Sequence, residues 1–224
     1  MPKVAVVITV LDGNDSHESC LEECQKQIDG VASEGRYSFS IFLNDQGVEG
    51  YPAVWKKASE EGADLFLWMD NDLMLAEGSL ASFLENSEFL RHKSVITGTV
   101  SRPDKTLLFG GRTRRGRLID PDPTIPVPCH LFDMALALVP AAAFSSLENP
   151  ADFFRRRLMD YGFGAKVAKA GVPRVIAPGI QARTARKIDI PAWKDPDSTL
   201  KDKLAWVMQD FIKKMNTNSK NNTK

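Results

Sequence analysis

The sequence predicts an α/β domain with a mostly parallel sheet and helices on both faces. Three observations predict it. Short apolar runs rich in Val, Ile, Leu and Phe recur at residues 4–11, 37–43, 63–69 and 95–100. Continuous apolarity of that length suits strands buried on both faces. Amphipathic stretches separate the runs, which is the βαβ pattern of right-handed crossovers. The first three runs each end in acid: Asp12, Asp45, then Asp70 and Asp72.

Residues 4–11 are β-branched and apolar, hence a buried strand. Asp12-Gly13-Asn14-Asp15-Ser16 is a turn, and Asp15 or Ser16 caps a helix over 17–28, with Glu18 and Glu22 near its positive end. Residues 37–43 form a second strand ending in Asn44-Asp45-Gln46-Gly47. Residues 51–62 read as a helix that packs Ala53, Val54, Trp55 and Ala58 and stops at Gly62. The run Ala63-Asp64-Leu65-Phe66-Leu67-Trp68-Met69 is the third strand, closing on Asp70-Asn71-Asp72. A helix over 78–89 starts near Ser79, and a strand over 95–100 follows.

Residues 101–128 change character. Arg102, Lys105, Arg112, Arg114, Arg115 and Arg117 are dense, and prolines crowd 121–128. This predicts an excursion over the face of the sheet. The cluster reads either as an oxyanion- or acceptor-contacting loop or as a solvated basic hairpin. Asp120 and Asp122 repeat the Asp-x-Asp spacing, but the prolines favour a rigid exposed loop over a metal site. Residues 130–140 read as one core strand, 141–147 as a short helix, 160–170 as a helix stopped by Gly171, and 175–179 as the last strand. His130 is expected to enter that core strand, with His17 and His92 on the surface.

Leu204, Val207, Met208, Phe211 and Met215 form a stripe at helical spacing. It packs on the chain's own core or lies against a membrane surface. One domain over 1–212 and a polar, disordered tail over 213–224 are expected. Lys+Arg and Asp+Glu both number 29, so net charge gives no general footing for nucleic acid. None of the apolar runs reaches the length of a membrane span, and the first is too short for a signal sequence. Cys20, Cys24 and Cys129 make no disulfide framework and are read as reduced thiols. The expected location is cytoplasmic, with the inner membrane surface as the peripheral contact.

Asp70 and Asp72 stand at the C-terminal end of a strand, where open α/β sheets place ligands. In extended chain, residues two apart point the same way. Two hard oxygen donors so placed suit Mg²⁺ or Mn²⁺ bridging to phosphate. The alternative is a polar turn that uses Asn71 and Asp72 for turn propensity.

In order, Leu43-Asn44-Asp45-Gln46-Gly47, Leu67-Trp68-Met69-Asp70-Asn71-Asp72, Phe109-Gly110-Gly111, the segment from Leu131 to Pro140, Asp160-Tyr161-Gly162-Phe163-Gly164, Pro178-Gly179 and Trp193-Lys194-Asp195-Pro196 resemble the inverting family-2 glycosyltransferases. The likeness runs to about residue 208. It implies the GT-A (Rossmann-like) fold, a three-layer sandwich around a mostly parallel mixed sheet. It implies transfer of a sugar from a nucleotide diphosphate sugar to a saccharide or lipid-linked hydroxyl acceptor in polysaccharide or glycoconjugate synthesis, with inversion. By that likeness Leu11, Asp12 and Asp45 hold base and ribose. Asp70 and Asp72 reach the diphosphate through a divalent metal, Mg²⁺ or Mn²⁺, with Asn71 in the same donor pocket. Asp160 matches the catalytic base. The interval from Asp45 to Asp70 is short by about one strand. Met159 and Gly162 flank the base where the family pattern differs. No His follows the last strand; Arg183 or Arg186 stands there, able to meet the diphosphate directly. Two rivals remain: a nucleotide-sugar binder without turnover, and a receiver-like or phosphatase-like protein using Mg²⁺ at the acidic cluster.

Overall fold

The structure, a computed structural model, describes residues 1–10, 17–46, 50–145, 164 and 166–185. Residues from Met1 to Ala185 form one compact unit. The expected boundary at 212/213, the stripe from Leu204 to Met215 and the tail lie outside the described residues.

The predicted first half forms as read. β1 (Lys3–Thr9), α1 (His17–Ala32), β2 (Ser38–Asn44), α2 (Tyr51–Glu60), β3 (Leu65–Asp70), α3 (Ser79–Phe89) and β5 (Val95–Ser101) follow in order, with a short β4 (Met74–Leu75) before α3. β1 pairs parallel with both β2 and β3. Between β2 and β3 the described residues hold α2 and no strand, in keeping with the short interval.

The side chains alternate between two cores, as a pleated strand requires. Val4, Val6 and Ile8 of β1 and Leu65, Leu67 and Met69 of β3 face one way. Cys20, Cys24, Ile28 and Val31 of α1 meet them there at helical spacing, with Leu80, Phe83 and Leu84 of α3. Ala5, Val7, Phe66 and Trp68 face the other way, against Tyr51 and Ala58 of α2. Helix, sheet and helix make three layers.

The second half departs from expectation in three places. Residues 130–140 are not one strand. They divide into β9 (Leu131–Phe132) and β10 (Leu136–Pro140), with a turn between. β9 pairs with β7 (Gly111–Arg112) in a separate two-stranded sheet. β10 enters the main sheet antiparallel, between β3 and β5. An unbroken apolar run carries no mark of strand direction or of the break. His130 falls just before β9 and is exposed, not in a core strand.

The excursion over 101–128 is also partly sheet. β6 (Leu107–Phe109) pairs with the last residues of β5, and β8 (Val127–Pro128) pairs with β11 (Arg174–Arg183). Finally, β11 runs past Pro178 and Gly179. Register shifts between Ile176 and Ala182 absorb the irregularity, and Gly179 takes a left-handed φ of 69°. The nine-stranded order is β2-β1-β3-β10-β5-β11-β4, with β6 on β5 and β8 on β11. β2, β1, β3, β5 and β11 share one direction and β10 opposes them. α4 (Ala141–Ser145) begins the expected short helix. Residues 166–169 are helical, and Gly171, at φ 75°, ends that turn as predicted.

Candidate functional site

Parallel register sets Thr9, Asn44 and Asp70 abreast at the C-terminal ends of β1, β2 and β3. The chain carries polar residues here because the sheet's apolar interior ends here. Thr9 Oγ1 donates to the Tyr51 hydroxyl at 3.1 Å, and the Tyr51 ring stands edge-on to Trp68 at 5.0 Å. The first residue of α2 is thereby tied to the end of β1. Val10 N donates to Asn44 O at 2.8 Å and Asn71 N to Thr9 O at 2.9 Å. These bonds continue the ladder past the strands. Gly50 precedes α2 because a Cβ there would strike the Asn44 side chain.

Asp70 ends β3, but Asn71 and Asp72 are not extended. Leu73 N donates to Asp70 O at 3.3 Å, closing a tight turn. Asp70 and Asp72 are therefore not related as in extended chain, and the alternative, a polar turn at Asn71 and Asp72, is what forms. What holds the two acids near each other is the turn. Both carboxylates lie in range of Cys20 on α1. Burial, then Cys24, then Asp72 and Asp70, push that thiol up to about 12, and its Sγ lies 3.9 Å from Asp70 O. Asp70 is 9% exposed, Asn71 is fully buried and Asp72 is half-buried.

Asp72 is oriented from a distant part of the chain. Thr184 Oγ1 donates to Asp72 Oδ2 at 2.8 Å, and Thr184 N donates to Ser101 O at 3.0 Å. Arg183, the last residue of β11, is exposed beside it, at the same end of the sheet. Asp70, Asn71, Asp72 and Arg183 are thus brought to one sheet end. Asp45 follows Asn44 in an exposed turn at that end. Leu11, Asp12, Asp160 and Arg186 lie outside the described residues.

Sequence reasoning missed Thr9, Tyr51 and Thr184. None belongs to a recognisable spacing; only the register brings them in. It also grouped Arg112 with the surface arginines. Arg112 instead pairs with Asp133 in the interior, Nη2 to Oδ2 at 2.8 Å, while Gly110 N donates to the same carboxylate. Asp122 braces its own loop. Its Oδ1 accepts from Thr124 N, Thr124 Oγ1 and Ile125 N, and those bonds hold its carboxyl below the usual range.

Among the described residues no three His, Cys, Asp or Glu side chains converge as a cage for a metal. Mg²⁺ does not need one. It is commonly held by one or two carboxylates, with water and substrate phosphates completing the shell. The oxygen donors of Asp70 and Asp72 at an open strand end fit that use. No helix among the described residues is long and apolar enough to cross a membrane.

No family model matches this sequence, and no curated protein matches it. Solved structures do share its fold. A197 from STIV superposes with a TM-score of 0.53 at 9% identity, over 84% of this chain and 87% of that one. GalNAc-T7 with UDP, GalNAc and Mn²⁺ superposes with a TM-score of 0.55 at 12% identity, over 92% of this chain and 47% of that one. The chain thus spans about half the length of GalNAc-T7. At these identities the likeness is one of fold: a mixed α/β, GT-A-like sandwich with a large, mostly parallel central sheet.

Proposed function

We propose that the chain is a glycosyltransferase that moves a sugar from a nucleotide diphosphate sugar to a hydroxyl acceptor, with inversion. The observation that carries this is the Asp70-Asn71-Asp72 turn, set at the C-terminal end of β3 in a GT-A-like sheet. Open α/β sheets take their ligands there. A fold neighbour was solved with UDP, GalNAc and Mn²⁺.

In this reading the ends of β1 and β2, with Leu11, Asp12 and Asp45, receive the nucleoside. Asp70 and Asp72 supply oxygen donors to Mg²⁺ or Mn²⁺, which neutralises charge on the departing diphosphate. Arg183 adds a fixed positive charge at the same strand end. Asp160 accepts the proton of the acceptor hydroxyl as its oxygen attacks the anomeric carbon. The bond to the diphosphate breaks as the new bond forms, so the anomeric centre inverts. The acceptor is a saccharide or a lipid-linked sugar.

The test is thermal melting with UDP, GDP, dTDP and CMP, each with and without Mn²⁺. A ligand that binds only the folded chain raises the midpoint. A rise with one diphosphate, larger with Mn²⁺, supports the reading and names the base. No rise with any of them sinks it. NMR of the product's anomeric proton then decides inversion.

A nucleotide-sugar binder without turnover is the second reading, favoured by Gly162 two residues after Asp160 and by the lack of a His after the last strand. Under it, Asp160→Asn leaves every measurable function unchanged. The receiver-like alternative loses ground, because β10 runs antiparallel within a sheet that a receiver would build from parallel strands.

A further inference from the structure

We infer that Thr184 is the positioning residue for Asp72: its hydroxyl holds the carboxylate that serves the diphosphate and its cation. This rests on the donor-site reading of Asp72. The antiparallel pairing of β4 with β11 sets Arg183 against Met74 and Ala182 against Leu75. Continued past the strand, that register carries Thr184 alongside the turn that holds Asp72. Thr184 is 2% exposed, and its own backbone is fixed by the bond from its N to Ser101 O at 3.0 Å. From that anchored place its Oγ1 reaches Asp72 Oδ2 at 2.8 Å.

The residue type fits the task. A carboxylate on a turn rotates about two torsions, and one donor to one oxygen removes most of that freedom. Thr is β-branched and stiff at χ1, so its hydroxyl is itself held in direction. A hydroxyl is a neutral donor and adds no positive charge beside Asp72. A Lys or Arg in the same place would instead offset the carboxylate's charge. Partners that orient metal-binding side chains in this way are commonly worth 10–100-fold in metal affinity.

The probe is Mn²⁺ with inorganic pyrophosphate, which carries the diphosphate chemistry without a choice of base. Free Mn²⁺ is followed by its EPR signal on the full chain. Thr184→Val, which keeps the shape and loses the hydroxyl, is expected to weaken binding about tenfold, with Thr184→Ser close to the parent. Asp72→Asn weakens it at least as much, and adding Thr184→Val to Asp72→Asn has no further effect on Mn²⁺, since the carboxylate that the hydroxyl positions is already gone. Should Thr184→Val unfold the chain, Thr184→Ala makes the same comparison. Parent-like binding by the hydroxyl-free variant overturns the inference. So does a Thr184→Ser variant as weak as Thr184→Val, which would make the methyl group the cause. Unchanged binding in Asp72→Asn overturns the donor-site reading itself, whereas loss there with no loss in Thr184→Val overturns only the role of Thr184.

Discussion

Arg112 and Asp133 are locked together beneath the surface. Arg112 Nε lies 3.1 and 2.9 Å from the two Asp133 oxygens, and Nη2 lies 2.8 Å from Oδ2. The guanidinium also donates to Gly116 O and Leu108 O, so it fastens the excursion after β5 to the turn before β10. Arg112 is therefore a structural arginine amid surface ones.

Removing it leaves a carboxylate in the interior. Arg112→Ala is expected to cost about 3–5 kcal/mol in urea unfolding, the usual effect of breaking a buried pair. Arg112→Met with Asp133→Leu should recover most of that loss. Binding of Mn²⁺ and pyrophosphate by folded Arg112→Ala should match the parent. A stable Arg112→Ala chain with weakened pyrophosphate binding would return Arg112 to the ligand-contacting set.

Gly50 and Asn44 make a second close approach, at the sheet end that is proposed to hold the nucleoside. Any side chain at Gly50 meets the buried Asn44 carboxamide, and its Cβ would also stand 3.0 Å from Gln46 Cβ. Gly50→Ala is expected to destabilise by about 1–3 kcal/mol. Asn44→Ala added to it should restore part of the loss by emptying the space. The readout is the urea midpoint of the three variants. A Gly50→Ala midpoint equal to the parent's would show that α2 can shift without cost.

These two contacts show where the sequence is readable and where it is not. β1, α1, β2, α2, β3 and α3 were legible because each is long enough for its period to repeat. Val4 to Ile8 and Leu65 to Met69 announce buried strands, and Gly47 and Gly62 punctuate the elements between them. β4, β7, β8 and β9 span two residues each, too few for any period. The reversal of β10 has no signature, since an apolar run reads alike in both directions. At the site, Asp70 and Asp72 were found because strand ends are predictable. The turn that relates them was legible only as the alternative, from the turn propensity of Asn71 and Asp72, because the i→i+3 bond from Leu73 that fixes it depends on the sheet around it. Thr184 meets Asp72 across 112 residues, and only the β4–β11 register makes that contact.

The three thiols give a pH prediction. Burial pushes Cys20, Cys24 and Cys129 each up to about 12. In the unfolded chain a thiol ionises near 8.5. The folded state thus keeps protons that the unfolded state releases as pH rises. Their contribution is whole below about pH 8.5 and is lost progressively from there towards pH 12. Burial raises Tyr37 too, and its contribution has the same sign. Urea midpoints should fall between pH 8.5 and 10.5. The chain with Cys20→Ala, Cys24→Ala and Cys129→Ala should fall less steeply, and an equal slope would remove the thiols as the cause. Maleimide should label none of the three in the native state at pH 7.5, because all are buried and protonated.

Gly98 lies mid-strand in β5, where a side chain would normally stabilise. A Cβ there would stand 2.7 Å from Leu136 Cδ2 and 2.8 Å from Phe83 Cζ. Leu136 of β10 and Phe83 of α3 already fill that space, and both are fully buried. Gly98→Ala should therefore overpack the core and cost about 1–3 kcal/mol. Leu136→Ala alone should cost about 2–5 kcal/mol, by lost burial and by the cavity it leaves. The two changes act on one volume with opposite sign. The double variant should then lose clearly less than the sum of the singles, by a coupling of about 0.5–3 kcal/mol. Urea unfolding of the four chains measures this directly. Strict additivity would mean that β5 and β10 relax independently, and that the antiparallel insertion of β10 is not what requires glycine at position 98.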